Sequence, residues 1–233
     1  MADFRHLICL DLETSSADKY TTEVLEIGSV AINPYNLNIM DEFHSLVRPI
    51  DIEIDDIDQK ALDINGLKRE DIAKAPPASL VINNWVEWIH KFNPTKNNSN
   101  YKAPIACGWG IDNFDLPILD RYFQKFKHWD KKKNWRKPLN PIFTFDVMKF
   151  IWMFMRTNED LNSVSLPAVL EYMGISKEEI KEEGHSALWD SQHTARIAIK
   201  LLRLGNFLAE FKEDGKRKME IKGCLSDAEH DTK

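Results

Sequence analysis

The first 47 residues carry the hydrophobic pattern of β-strands. Leu7–Leu10 (LICL) is a short apolar run closed by polar residues, which is typical of a strand buried on both faces. Val24–Ile32 and Ile39–Val47 follow, and the turn-forming residues Asn33–Asn36 (NPYN) separate them. This pattern predicts a three-stranded antiparallel meander at the start of the chain.

The rest of the chain changes to helical periodicity, with apolar residues at spacings of three and four. This predicts helices at Asp55–Ile64, Ala78–Phe92, Asp112–Phe126, Val147–Met155, Leu166–Met173 and Leu188–Leu204. Short apolar runs at Ile105–Cys107 and Pro141–Phe145 predict a fourth and a fifth strand. Strands followed by strand–helix alternation indicate an α/β fold, a mixed five-stranded sheet flanked by helices. Beyond Phe211 the charges are mixed and no period remains, so we expect one domain over residues 1–211 and a flexible tail over 212–233.

Composition narrows the classes of function. A chain of 233 residues with 43% hydrophobic side chains can bury a core, which excludes an intrinsically disordered protein. Its 31 Lys and Arg against 37 Asp and Glu give a net charge of −6, so any contact with nucleic acid must be local. The three scattered cysteines lack zinc-site spacing, and no signal-peptide core or 18-residue apolar window occurs. We therefore expect a soluble cytoplasmic protein without membrane association.

Asp11 and Glu13 are the first candidates for chemistry. Residues i and i+2 of a strand project from the same face, so these two carboxylates lie side by side. Neighbouring carboxylates repel each other unless a positive charge lies between them, and a divalent cation supplies that charge. The same D-x-E spacing recurs at Asp51/Glu53 and Asp227/Glu229, but only the first copy follows an apolar strand.

Two further segments place acids near the start of a helix. Asp115 closes the segment GWGIDNFD, where a predicted strand gives way to a helix and α/β sheets gather binding groups. Asp112 of that segment is expected to cap the helix, whereas Asp115 is either a functional acid or a first-turn acid that favours the helix dipole. His185 precedes the last predicted helix and Asp190 lies in its opening turns, so these two residues can converge.

Taken in order, DLET, WGIDNFD and HSALWD resemble the three exonuclease motifs of the DEDDh family. That family includes the proofreading subunit of bacterial DNA polymerase III, ribonuclease T and oligoribonuclease, and the resemblance spans about residues 7–202. It implies an RNase H-like fold and a metal-dependent 3′–5′ exonuclease that releases 5′-mononucleotides from single-stranded DNA or RNA with a free 3′ end. A homodimer or a polymerase partner is compatible with the resemblance.

The resemblance also implies roles for individual residues. The family's four metal-binding acids correspond to Asp11, Glu13, Asp115 and Asp190, its general base to His185, and a position beside the terminal nucleotide to Thr14. Such a set of hard oxygen ligands suits two Mg²⁺ or Mn²⁺ ions, and the absence of clustered His and Cys disfavours zinc. Ile64–Leu67 resembles, less specifically, a family segment that precedes a proline-initiated helix. Trp189 and Trp109 depart from the family pattern, which leaves the substrate open.

Two alternatives to an exonuclease remain open at this point. One is a catalytically inactive nucleic-acid-binding module of the same fold, and the other is a metal phosphohydrolase that acts on small nucleotides. The choice between DNA and RNA depends on contacts to the 2′-hydroxyl, which the motifs do not specify.

A basic segment, Lys125–Lys137, contains seven Lys or Arg and one Asp, with Trp129 and Trp135 between them. One interpretation is a phosphate-binding patch on which bases stack. The other is a solvated loop whose tryptophans pack against the core, because runs of charge are usually just solvated. The sequence leaves both open, with the loop favoured.

Overall fold

Five strands form one mixed sheet in the computed structural model, which describes residues 5–93, 102–129, 137–155, 158–207, 210–211 and 217–218. The strands are β1 (Leu7–Thr14), β2 (Val24–Ile32), β3 (Ile39–Leu46), β4 (Ile105–Gly108) and β5 (Thr144–Asp146). Their order across the sheet is β3-β2-β1-β4-β5. β2 is antiparallel to β1 and β3, whereas β4 is parallel to β1 and β5 is parallel to β4. The predicted meander and the predicted mixed sheet are both confirmed.

The helices lie between and after these strands. They are α1 (Gln59–Asn65), α2 (Arg69–Lys74), α3 (Ala78–His90), α4 (Asp115–Lys125), α5 (Val147–Met155), α6 (Leu166–Tyr172), α7 (Lys177–Glu183) and α8 (Ala187–Phe207). The predicted start of the helix Asp55–Ile64 is wrong. A 3₁₀ turn occupies Ile54–Asp56, and α1 begins only after Asp58. Periodicity does not predict α2 and α7, since six or seven residues are too few for a clear period. Among the described helices, none is both long and apolar enough to cross a membrane.

One face of the β1–β2 pair packs into the main hydrophobic core. Leu12 and its cross-strand neighbour Ile27 are buried there together with aromatic side chains of α3 and α4. Trp85 of α3 stacks on Phe123 of α4, with 5.9 Å between the ring centroids. Burying one such large apolar side chain stabilises the fold by about 1.5–3 kcal/mol. Because side chains alternate across a strand, the residues on either side of Leu12 are turned to the opposite face of the sheet.

The chain divides into two compact units, Met1–Arg196 and Ile197–Lys233. The first unit holds the sheet, helices α1–α7 and the opening turns of α8. The second holds the remainder of α8 and a ladder in which β6 (Glu210–Phe211) pairs antiparallel with β7 (Arg217–Lys218). A single domain over residues 1–211 stays a prediction. The predicted tail, residues 212–233, lies outside the described residues except for β7.

The centre of the basic segment, residues 130–136, also lies outside the described residues. At the ends of the segment, Lys125 forms an ion pair with Asp51, and Lys137 Nζ lies 2.7 Å from Asp120 Oδ2. Lys137 Nζ is also 4.1 Å from the centroid of the Trp129 ring. Both interpretations of the segment therefore stay predictions.

Candidate active site

Asp11 and Glu13 lie within β1, which continues beyond the predicted apolar run as far as Thr14. Asp11 is directly opposite Gly28 of β2, and Glu13 is directly opposite Glu26. Residues directly opposite each other in an antiparallel pair project from the same face. The two acids of the D-x-E motif therefore share one face of the sheet, as their spacing predicts, and they share it with a third acid on β2.

Helix α8 brings a further acid to this face. A Cβ atom at Gly28 would lie only 2.1 Å from the carbonyl carbon of Ala187, so the first turn of α8 packs directly on the backbone of β2. Asp190 lies in that part of α8. One carboxylate oxygen each from Asp11, Glu13 and Asp190 lie within 4.8 Å of one another. The structure thus brings together residues from the first and the last of the three motifs.

Asp115 reaches the site as the first residue of α4, which follows β4, the parallel neighbour of β1. Its side chain is buried, and hydrogen bonds from the backbone N–H groups of Leu12 and of Asp115 itself partly offset the effect of burial on its pKa. The charge of Asp115 in turn raises the pKa of Asp11. Asp115 is therefore a neighbour of the three acids that lie within 4.8 Å, although it is not one of them.

Burial raises the pKa of all four acids, because a low-dielectric environment disfavours the charged form. The pKa of Asp11 lies well above its usual range, and repulsion by Glu13 adds to the shift. The pKa of Glu13 rises to about 9, and those of Asp115 and Asp190 rise to about 7. In the described part of the chain, no Lys or Arg is among the groups that shift these four pKa values. This donor set, hard oxygens without a protein cation, fits a divalent metal ion.

His185 lies in the turn between α7 and α8, with its backbone in the left-handed region at φ 65°. Such a conformation is uncommon for a residue other than glycine and is often found at functional sites. The backbone N–H of His185 hydrogen-bonds to Asp190 and lowers the pKa of that carboxyl group, against the larger effect of burial. The residue is exposed. His185 and Asp190 are therefore in contact as predicted, and the contact is made by the backbone N–H of His185.

Thr14 ends β1, directly after a register shift in the β1–β2 ladder. Its hydroxyl donates to the carbonyl oxygen of Ser16 at 3.0 Å. Its carbonyl oxygen accepts a hydrogen bond from Asn65 Nδ2, also at 3.0 Å. Asn65 is the last residue of α1 and belongs to the segment Ile64–Leu67, so this segment fixes the backbone next to Glu13.

The expectation that Asp112 caps α4 is wrong. α4 begins at Asp115, because Gly110 adopts a left-handed φ of 69° and the chain makes an additional turn before the helix. The carboxylate of Asp112 instead forms an ion pair with Lys149 of α5. Predicting this would have required knowing that α5 returns beside the turn.

Two buried acids at the site were not identified from the sequence. Glu26 is 3% exposed, and its charge raises the pKa values of Asp11, Glu13 and Asp190. Asp146, the last residue of β5, is 7% exposed and raises the pKa of Asp115. Glu26 is the one charged residue of the strand VLEIGSVAI, and this is a signal that could have marked it. The sequence offers no comparable signal for Asp146.

The family model described as Exonuclease matches residues 8–198, which is most of the chain. The chain belongs to the exonuclease family. The prediction of a DEDDh-type exonuclease domain, and with it of a hydrolase, is confirmed at the level of that family.

The names of the curated relatives of this exonuclease-family chain include both an exoribonuclease and a DNA polymerase. "ERI1 exoribonuclease 2" of Homo sapiens is 24% identical over 216 residues, which are 87% of this chain and 29% of that protein. "DNA polymerase III PolC-type" of Thermotoga maritima is 24% identical over 197 residues, which are 84% of this chain and 12% of that protein. The chain thus spans less than a third of the length of either relative.

Solved structures agree with the architecture. The nuclease domain of 3′hExo, described as a DEDDh family member bound to rAMP, has a TM-score of 0.64 and 19% sequence identity. The match covers 88% of this chain and 94% of that one. The predicted RNase H-like fold is therefore confirmed.

Proposed function

We propose that this chain is a 3′–5′ exonuclease that hydrolyses the terminal phosphodiester bond of single-stranded nucleic acid. The observation that carries the proposal is the convergence of Asp11, Glu13 and Asp190 within 4.8 Å, with Asp115 beside them. Burial and mutual repulsion destabilise the charged form of these carboxylates, and no described Lys or Arg offsets this. A bound divalent ion would therefore stabilise them. We propose that Asp11, Glu13 and Asp190 hold one ion and that Asp115 contributes to a second, with Mg²⁺ or Mn²⁺ as the metal.

Two such ions supply positive charge to the scissile phosphate and lower the pKa of an attacking water. The chain's own contribution is to receive the proton and to hold the strand end. We assign His185 as the general base, because His185 is exposed and its backbone N–H is hydrogen-bonded to Asp190, one of the proposed metal ligands. The water oxygen bonds to phosphorus as the bond from phosphorus to the 3′ oxygen breaks. The water proton passes to the imidazole, and the leaving 3′ oxygen takes a proton from solvent. The products are a 5′-mononucleotide and a shortened strand with a 3′-hydroxyl.

The position of Thr14 supports a role beside the terminal nucleotide. It follows Glu13 directly, and Asn65 holds its carbonyl. The named relatives include an exoribonuclease and a DNA polymerase, so both RNA and DNA are candidate substrates of this site. A cytoplasmic location, and a second copy or a polymerase as a partner, stay predictions of the sequence.

Digestion of a 5′-labelled single strand in Mg²⁺ or Mn²⁺ tests the proposal. The wild-type chain should produce a ladder that shortens from the 3′ end, and Asp11→Asn should reduce the rate by about 100-fold or more. Asp51→Asn is the matched control, because Asp51 belongs to the second D-x-E copy and lies exposed beside Lys125. It should retain the wild-type rate.

The same assay distinguishes the alternatives. Binding of the strand without shortening would support an inactive nucleic-acid-binding module. Release of inorganic phosphate from a mononucleotide, without a ladder from the strand, would support a phosphohydrolase. Retained activity in Asp11→Asn would contradict the assigned metal site.

A further inference from the structure

Glu26 is a buried acid that the proposed reaction leaves without a role. It lies on β2 directly opposite Glu13, on the same face of the sheet as Asp11 and Glu13, and only 3% of the residue is exposed. Its charge raises the pKa values of three other acids, so in the metal-free protein it adds to the repulsion at the site. A buried carboxylate in such a place needs compensating hydrogen bonds.

Those hydrogen bonds come from two different parts of the chain. His44 of β3 places Nε2 at 2.7 Å from Glu26 Oε1. Ser186 donates its hydroxyl to the same oxygen at 3.3 Å. Both partners meet Oε1, and Glu26 is not among the three acids whose oxygens lie within 4.8 Å of one another. Both of these hydrogen bonds of Glu26 are therefore made to side chains outside the group of candidate metal ligands.

Ser186 is the residue between His185 and the first residue of α8. The turn that contains it is constrained from both sides, since His185 is left-handed and Ala187 packs on the backbone of Gly28. Ser186 also accepts a hydrogen bond at its carbonyl oxygen from the Asp190 N–H at 2.9 Å. Glu26 thus holds, through the Ser186 hydroxyl, the turn that contains His185 and leads into the first turn of α8, where Asp190 lies.

We propose that Glu26 is a positioning residue that anchors the His185–Ser186 turn to β2 through the Ser186 hydroxyl, with His44 as its second partner. The inference rests on the proposed function for its catalytic consequence, but the anchoring itself does not need metal or substrate. The anchor restricts a strained turn that would otherwise move relative to the sheet.

Amide hydrogen exchange of the metal-free protein tests the anchor directly. Ser186→Ala should raise the exchange rate at the Asp190 N–H about tenfold, because the turn loses its hydrogen bond to Glu26. Glu26→Leu should do the same, whereas Glu26→Gln keeps an acceptor oxygen and should leave the exchange rate close to that of the wild type. Ser176→Ala is the matched control, since Ser176 caps α7 by accepting from the Glu179 N–H at 3.1 Å and lies outside this turn. It should change exchange at Glu179 and not at Asp190.

Steady-state digestion tests the catalytic consequence. Ser186→Ala should lower kcat about tenfold, with KM and the Mn²⁺-induced thermal shift unchanged, because the acids that hold the ion are intact. In a His185→Ala background the same substitution should cause no further fall in kcat, since the base that it positions is absent. A merely structural role would lower activity equally in both backgrounds.

The two measurements separate this inference from the proposed function. If exchange at Asp190 is unchanged in Ser186→Ala and in Glu26→Leu, the anchor does not exist. If exchange rises but the wild-type chain digests no strand, the anchor stands and the proposed function is overturned. If Glu26→Gln reduces the Mn²⁺-induced thermal shift as strongly as Asp11→Asn does, Glu26 is a metal ligand and the positioning role is wrong.

Discussion

Two acid clusters lie within this exonuclease-family chain, and they differ in where their positive charge comes from. The lysine-paired cluster consists of Asp112, Asp146 and Lys149, whose ammonium group forms an ion pair with Asp112 and lies 3.4 Å from Asp146 Oδ2. The metal-type cluster consists of Asp11, Glu13, Asp115 and Asp190, and no lysine or arginine shifts the pKa of any of its described members. Hydrogen bonding to Asp112 raises the pKa of Lys149, whereas burial raises the pKa values of the metal-type acids.

The comparison shows that proximity of carboxylates alone does not make a metal site. Asp112 and Asp146 share one cation, the Lys149 ammonium group, and that cation belongs to the protein and is present when the chain folds. In the metal-type cluster no Lys or Arg of the described residues acts on the acids, and a divalent ion from solution would supply the compensating charge. Burial without a Lys or Arg partner, as far as the structure describes the chain, is the property that makes the second kind of cluster a candidate for catalysis.

The largest expected difference between the clusters is in activity. Asp190→Asn should reduce strand digestion by about 100-fold or more, because it removes one of the three convergent oxygen donors. The same variant should make the metal-free protein more stable at pH 8 by about 1 kcal/mol or more, since a buried charge with a raised pKa is removed. Asp112→Asn should change activity less than about threefold and should lower stability by at most about 1 kcal/mol, as expected for a partly exposed ion pair.

Parallel digestion assays and urea unfolding in EDTA measure these four quantities. A loss of stability in Asp190→Asn together with a loss of activity would mean that Asp190 is a structural residue. The comparison between the clusters would then fail.

The second expected difference between the two clusters is in how each makes the stability of the metal-free protein depend on pH. The folded pKa of Glu13 is about 9 and those of Asp115 and Asp190 are about 7, all above their unfolded values near 4. The folded state therefore binds more protons than the unfolded state between about pH 4 and pH 9, and the free energy of unfolding falls as the pH rises through this window. His44, whose pKa is raised chiefly by its hydrogen bond to Glu26, contributes with the same sign.

Unfolding in EDTA at pH 5, 7 and 9 should show a loss of about 2 kcal/mol or more across the series. Saturating Mn²⁺ should remove most of that loss at pH 7 and pH 9, because the ion binds the deprotonated carboxylates of the folded state. Asp112→Asn should leave the slope unchanged, whereas Asp190→Asn should reduce it. A stability that rises with pH in EDTA would contradict the raised pKa values.

The sequence predicted the metal-type cluster better than the lysine-paired one, for a physical reason. Asp11 and Glu13 are two residues apart on one strand, so the geometry of the strand alone puts them on the same face. Asp190 could be assigned because it accompanies a recognisable motif, although its approach depends on Gly28, whose missing side chain lets α8 pack on β2. The four acids were thus found through local geometry and through a family pattern.

The remaining parts depend on contacts between segments that are distant in sequence. Asp112 and Lys149 are paired because α5 returns beside the turn before α4, and no local period reports such a return. Glu26 gains its partners His44 and Ser186 from β3 and from the turn before α8, which lie far away along the chain. For the same reason the start of α4 was predicted three residues too early, because helical periodicity does not register the left-handed turn at Gly110.

The smallest expected effect is on stability, and it comes from removing the lysine of the lysine-paired cluster, so that its two acids lack a protein cation. Lys149→Met removes the cation but keeps two backbone hydrogen bonds to Asp146 Oδ1. The N–H of residue 149 donates to this oxygen at 3.3 Å, and the N–H of Gly110 donates to it at 3.1 Å. Stability at pH 7 should fall by about 1 kcal/mol or less, because Lys149 is half exposed and the pair is screened by solvent. Since the side chain of Asp146 is only 3% exposed, the variant leaves a buried carboxylate without its neighbouring cation, and it should lose more stability between pH 5 and pH 8 than the wild type does.

Urea unfolding of Lys149→Met and of the wild type in EDTA at the two pH values measures this additional slope. Lys177→Met is the matched control, because Lys177 pairs with Glu171 at 3.0 Å on an exposed surface and its loss should leave the slope unchanged. Mn²⁺ should not stabilise Lys149→Met more than it stabilises the wild type, since Asp112 and Asp146 offer only two carboxylates. If the slope of Lys149→Met equals that of the control, the protein cation is not what separates the two clusters, and burial alone accounts for the raised pKa values of the metal-type acids.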